Sequence, residues 1–126
     1  MNAGHLLFVY GTLKRGYHAN LMLDGATFIG PDKIGGKLYS LGGFPGVRDA
    51  TANPFSSVFQ VHGEVYRLPD DDACPLMVRA LDRYEGYPDL YSRKQVVTWG
   101  GHKVWVYEFN LEPPNGSLIE EGVWKP

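Results

Sequence analysis

Apolar residues along this chain come in short runs punctuated by glycine and proline. Leu6 to Tyr10 is a five-residue apolar run stopped by Gly11, the pattern of a buried strand that delivers its end into a turn. Tyr17 to Leu23 has room for two helical turns. Ala26 to Leu41 reads as an extended segment broken at Gly30-Pro31 and Gly35-Gly36, and Gly42-Gly43-Phe44-Pro45-Gly46 is expected to form a tight connection. A strand is expected within Ser57 to Leu68, kinked or bulged at Gly63. Gln95 to Trp99 and Lys103 to Phe109 form a predicted hairpin across Gly100-Gly101. Pro113-Pro114-Asn115-Gly116 then makes a turn before a last apolar pair.

The pattern switches to helical spacing only once. Asp70-Asp71-Asp72 supplies N-cap and first-turn anions, Pro75 is tolerated in a first turn, and Gly86 is a natural residue just past a helix end. These signals predict a helix over Ala73 to Glu85. On a wheel of about 100° per residue, Cys74, Met77, Val78, Leu81 and Tyr84 share one arc, with Arg79, Asp82 and Arg83 outside it. Glu85, four residues past Leu81 and seven past Val78, falls on the apolar arc. A carboxyl group there is disfavoured in its charged form both by desolvation and by the negative end of the helix dipole. That is how a protein prepares a carboxyl to move protons near neutral pH. The residues alone leave a second possibility open, in which the last turn frays and Glu85 points to water or pairs with Arg93.

The seven residues from Tyr10 to Gly16 lead out of the first strand through Gly11 into a short possible helix. Strand ends of this kind form ligand crevices in α/β folds, and successive backbone N–H groups there can hold a carboxylate or an oxyanion. The segment is neither a phosphate-binding P-loop nor a dinucleotide fingerprint, and on its own it also reads as a plain turn.

Composition narrows the function classes. With 126 residues, 44% hydrophobic and 21% charged, the chain fits one domain over 1–126 with one core. Its 16 glycines, 9 prolines and 13% aromatic content favour many short strands. A net charge of -2 without basic blocks argues against a nucleic-acid partner. Cys74 is the one cysteine, so neither an internal disulfide nor a cysteine metal cluster can form, which fits a reducing cytoplasm; on the helix's apolar arc it reads as core. The N-terminus lacks a signal-peptide pattern, and no apolar run is long enough for a membrane span. His5, His18, His62 and His102 show no ligand spacing for zinc. Tyr87, Tyr91, Trp99, Trp105 and Tyr107 lack basic interleaving and read as core and pocket wall.

Three stretches together resemble the γ-glutamylcyclotransferase family, most closely its γ-glutamylamine (AIG2-like) branch: Phe8-Val9-Tyr10-Gly11-Thr12-Leu13-Lys14-Arg15-Gly16; Gly36-Lys37-Leu38-Tyr39 with Phe44-Pro45-Gly46; and Leu81-Asp82-Arg83-Tyr84-Glu85-Gly86-Tyr87-Pro88 with Tyr91 and Arg93. The resemblance implies an α+β fold, a small mixed-strand β-barrel flanked by helices. It implies that Glu85 is the catalytic acid/base, that Tyr10, Gly11, Thr12 and Leu13 bind a small γ-glutamyl substrate, and that Tyr91 is a pocket residue. It further implies release of 5-oxoproline and an amine with no metal or cofactor. A non-catalytic small-molecule-binding domain on the same fold is the rival expectation. The leaving amine and the oligomeric state stay open.

Overall fold

Seven strands and one α-helix frame residues 1–125, which the computed structural model describes. The domain expected over 1–126 ends at Pro126, which lies outside the described residues. The strands are β1 (Leu6–Val9), β2 (Thr27–Gly35), β3 (Lys37–Ser40), β4 (Pro45–Arg48), β5 (Gln60–Arg67), β6 (Tyr91–Val97) and β7 (Lys103–Phe109); the helix α1 is Ala73–Glu85. Short 3₁₀ segments cover His18–Leu23 and Pro54–Ser56. Among the described residues, no helix is long and apolar enough to cross a membrane.

The strands form one sheet in the order β2-β5-β1-β7-β4-β3, with β6 paired to β7 as well. It is mixed: β1 and β4 run parallel to β7, and the other ladders are antiparallel. Since β6 pairs along all of β7, β1 and β4 share its other edge, β1 at Trp105 and β4 at Glu108. The end of β1 therefore emerges where β4 takes over. β2 and β3 lie at opposite ends of the sheet yet are joined through Gly36 alone, which obliges the sheet to curl until its ends approach. No ladder between them closes it among the described residues. The α+β, mixed-strand expectation matches, and the barrel is an open one.

Strand alternation divides the interior into two layers. Leu7 and Val9 of β1, with Tyr107 and Phe109 of β7, join Leu68, Cys74, Met77 and Leu81 beneath α1. Phe8 and Tyr10, with Val104 and Val106, point into the curl beside Ile34, Leu38, Val47, Val61 and Val65. The tail completes this inner layer: Gly122 accepts from His62 N–H at 2.8 Å and Trp124 is buried.

The helix has the predicted bounds. Its entry is capped by Asp71, whose carboxylate accepts from Ala73 N–H at 2.9 Å, and its exit by Gly86 in the left-handed region (φ 70°). Three local expectations change. Pro45-Gly46 opens β4 instead of lying in a connection; the turn is Leu41 to Phe44, because the β3 register pairs Ser40 with Pro45. β6 starts at Tyr91, four residues before the predicted Gln95, since its ladder on β7 runs through to Phe109. Gly63 marks no bulge: a Cβ there would meet Val9 O at 2.3 Å and the Phe8 ring, so the glycine serves close packing, and the register shift lies on β2 between Phe28 and Gly30, across from Tyr66 and Val65.

Candidate functional site

A cavity of about 350 Å³ opens at the end of β1, between the segment that follows it and the C-terminal turn of α1. Tyr10, Gly11, Thr12, Leu13, Tyr91 and Glu85, the residues singled out from sequence, all line it. Its volume is near the lower end of the roughly 300–1,000 Å³ typical of small-molecule sites, so the ligand it suits is small.

Backbone hydrogen bonding explains what the loop can offer. Its carbonyls are tied back: Gly11 O accepts from Lys14 N–H and Thr12 O from Ala19 N–H, both at 3.1 Å, while Leu13 O accepts from the Asn20 amide at 2.8 Å. The N–H groups of Gly11, Thr12 and Leu13 have no acceptor among the described residues. Three successive donors without partners, in a segment that lines a cavity, are the kind of group that can hold an anion or a developing oxyanion. Gly11 is also pressed against the cavity wall, since a Cβ there would come within 2.7 Å of Pro45. The close neighbour of this glycine is therefore protein, as well as any ligand.

The tyrosines are held by their hydroxyls. Tyr10 OH donates to Tyr107 O at 2.6 Å and accepts from Val47 N–H at 3.2 Å, which links β7 to β4. Tyr91 OH donates to Pro45 O at 2.6 Å. Burial is the leading cause that raises the Tyr10, Tyr91 and Tyr107 hydroxyls above the usual phenol range, so all three stay neutral. With Tyr10 and Tyr91 committed to carbonyls, their rings are what they present to the cavity. Thr12 Oγ1 and Tyr84 OH are 2.6 Å apart and hydrogen-bonded, which joins the loop to α1 across one side of the cavity.

Glu85 is the lone carboxylate in the lining. It is half-buried, and among the described residues its side chain has no hydrogen bond or ion pair. Burial raises its pKa from the ordinary carboxylate range to about 7. The pairing with Arg93 that the sequence left open does not form: Arg93 Nη2 lies 3.6 Å from Asp82 Oδ2. Asp82, placed outside the apolar arc by the wheel, is half-buried, because Tyr107 OH also donates to it at 2.7 Å.

Some sequence expectations for the pocket change. Tyr87 lies outside the lining, with the Arg93 guanidinium 4.2 Å over its ring. Lys14 donates to Trp124 O at 3.2 Å, and Arg15 stacks over Phe28 at 4.4 Å, so neither lines the cavity. His18, considered from sequence only as a metal ligand, does line it, as do Phe44, Leu90 and Tyr107. Of these, Tyr107 carried a sequence signal as an aromatic wall candidate. His18 and Leu90 reach the cavity by tertiary placement alone.

A sequence profile of the family described as gamma-glutamyl cyclotransferase, AIG2-like, matches residues 7–126, and the chain belongs to that family. It is 34% identical over 122 residues to a Vibrio cholerae protein provisionally named a gamma-glutamylcyclotransferase, covering 95% of each chain. Among solved structures, ytfP from Escherichia coli is 35% identical with a TM-score of 0.64, covering 94% of this chain and 95% of that one. An AIG2-like protein of Mus musculus (GGACT) superposes with a TM-score of 0.75 at 25% identity, covering 98% of this chain and 90% of that one.

Proposed function

We propose that this protein is a γ-glutamyl cyclotransferase that closes a γ-glutamyl amide on its own α-amine, releasing 5-oxoproline and a free amine. The observation that carries this is Glu85: an unpaired carboxyl, raised to about 7, sharing a small cavity with three backbone N–H donors. In this reading the Glu85 carboxylate takes a proton from the substrate's α-ammonium. The freed nitrogen attacks the γ-carbonyl carbon to close a five-membered lactam, and the oxygen's developing charge is held by the Gly11 to Leu13 N–H groups. Glu85 then returns the proton to the departing nitrogen as the amide bond breaks, and the second proton of the ring nitrogen is lost as the lactam forms and is taken up by the released amine, which leaves as an ammonium ion. A pKa near 7 suits both transfers. The attack is intramolecular, and oriented reactions of this kind reach effective molarities of about 10⁵ to 10⁸ M, so no protein nucleophile is needed.

The lining also bears on the leaving amine. It contains no lysine or arginine, while Leu13, Phe44, Leu90 and Tyr91 present apolar surface. An alkyl chain gains about 0.8 kcal/mol for each methylene buried there. This supports a γ-glutamylamine, such as one formed on a lysine ε-amine, over a tail with several carboxylates.

The test is a panel of γ-glutamyl-ε-lysine, a γ-glutamyl α-amino acid and glutathione, with 5-oxoproline detected by mass spectrometry. Wild type should turn over the ε-lysine compound best, and folded Glu85→Gln should lose about 10²- to 10⁴-fold of that rate. A tenfold preference for another member would overturn the amine assignment alone. Binding without turnover of any member would favour the non-catalytic domain.

A further inference from the structure

Asp82 and Glu85 sit three residues apart on α1, a spacing that makes their side chains neighbours on the helix surface. Among the described residues, one cation forms an ion pair with either of them. Arg93, two residues past the cavity-lining Tyr91 on β6, places its guanidinium over the Tyr87 ring and 3.6 Å from Asp82. Both partners are largely removed from solvent, with side chains 17% and 21% exposed. Arg93 Nε is buried without a hydrogen-bond partner, so the guanidinium is held by Asp82 and the ring rather than by a complete donor set. Asp82 also takes the Tyr107 hydroxyl, whereas those of Tyr10 and Tyr91 go to backbone carbonyls.

We propose that Asp82 is a positioning residue that draws Arg93 and the Tyr107 hydroxyl to itself and so leaves Glu85 facing the cavity without an ionic partner. The proposal rests on the reading of Glu85 as acid/base. An arginine on Glu85 would fix it as a permanent carboxylate and remove it from proton transfer. The titratable groups that share the cavity lining with Glu85 are then phenols, Tyr10 from the end of β1, Tyr84 from α1, Tyr91 from β6 and Tyr107 from β7, and the His18 imidazole. Burial rather than a neighbouring charge is what sets the Glu85 carboxyl.

The experiment titrates Glu85 directly, by carbon NMR of its labelled carboxyl group, and compares the acid limb of kcat/KM. Asp82→Asn keeps an acceptor for Tyr107 but removes the counter-ion of Arg93. Its Glu85 titration should fall by about 1 to 3 pH units, the usual effect of an unshared cation within reach of a carboxyl. Asp82→Asn/Arg93→Gln should return it to within about half a unit of wild type, and Arg93→Gln alone should move it upward, because Asp82 is then an uncompensated neighbour. If Asp82→Asn fails to fold, the opposite shift in Arg93→Gln carries the test. A wild-type titration in folded Asp82→Asn or, failing that, Arg93→Gln overturns the proposal. If instead Glu85→Gln keeps wild-type turnover, it is the acid/base assignment that fails, whatever the NMR titrations show.

Discussion

Strands β1 and β7 present two faces of very different chemistry. The face inside the curl is filled by Phe8, Ile34, Leu38, Val47, Val61, Val65, Val104 and Val106, each no more than 1% exposed. The face beneath α1 carries Tyr66, Tyr91 and Tyr107 among its aliphatic residues, and it opens toward the cavity. Aliphatic side chains fill space without direction, whereas a buried tyrosine must find a partner for its hydroxyl and so fixes its ring in one place. The inner face gives the domain stability, and the helix-side face gives a wall whose shape is set by hydrogen bonds to Pro45 O and Asp82. The site forms where close packing stops, at the end of β1.

Perturbing each face separately tests this division. The largest effect is expected on the inner face, where Leu38→Ala should cost about 2 to 5 kcal/mol of stability by leaving a cavity among residues that cannot collapse to fill it. Chemical denaturation measures the loss. Enough folded protein should remain at low temperature for its kcat to stay near wild type, and a loss of kcat larger than the folded fraction explains would blur the two faces.

A smaller effect, of opposite sign, is expected at Glu85. Its pKa is about 7 in the folded protein against the ordinary 4.5 of the unfolded chain, so the folded state binds the extra proton between these values. The stability linked to that proton is fully present below about pH 4.5 and lost as pH rises through about 7. Glu85→Gln, which cannot ionise, should match wild type near pH 4 and exceed it above pH 8 by on the order of 3 kcal/mol. Thermal melts across that range are the measurement, and a variant destabilised at every pH would mean that Glu85 has a structural partner. Smallest of all is Thr12→Val, which removes the bond to Tyr84 and should cost about 0.5 to 1.5 kcal/mol in stability. Its KM should change more than its kcat, because the link shapes the cavity without moving protons.

Much of the site was legible because its signals are local. The acidic N-terminal turn, the apolar arc and Gly86 specify α1 from within one stretch of chain, and the i, i+4 relation of Leu81 to Glu85 places that carboxyl on the inward face. The apolar run stopped by Gly11 likewise announces a buried strand ending in a loop. Which charges meet is another matter. The sequence offered Arg93 to Glu85 and Tyr87 to the pocket wall, but β6 carries Arg93 to Asp82 and to the Tyr87 ring. The early start of β6 and the strand at Pro45 were hidden for the same reason, since each exists through a ladder to a distant partner. Helix bounds and apolar faces follow from neighbours within one turn, and the sequence by itself determined those. Strand register decides contacts between residues tens of positions apart, and only the tertiary structure could show that Glu85 was left without a counter-ion.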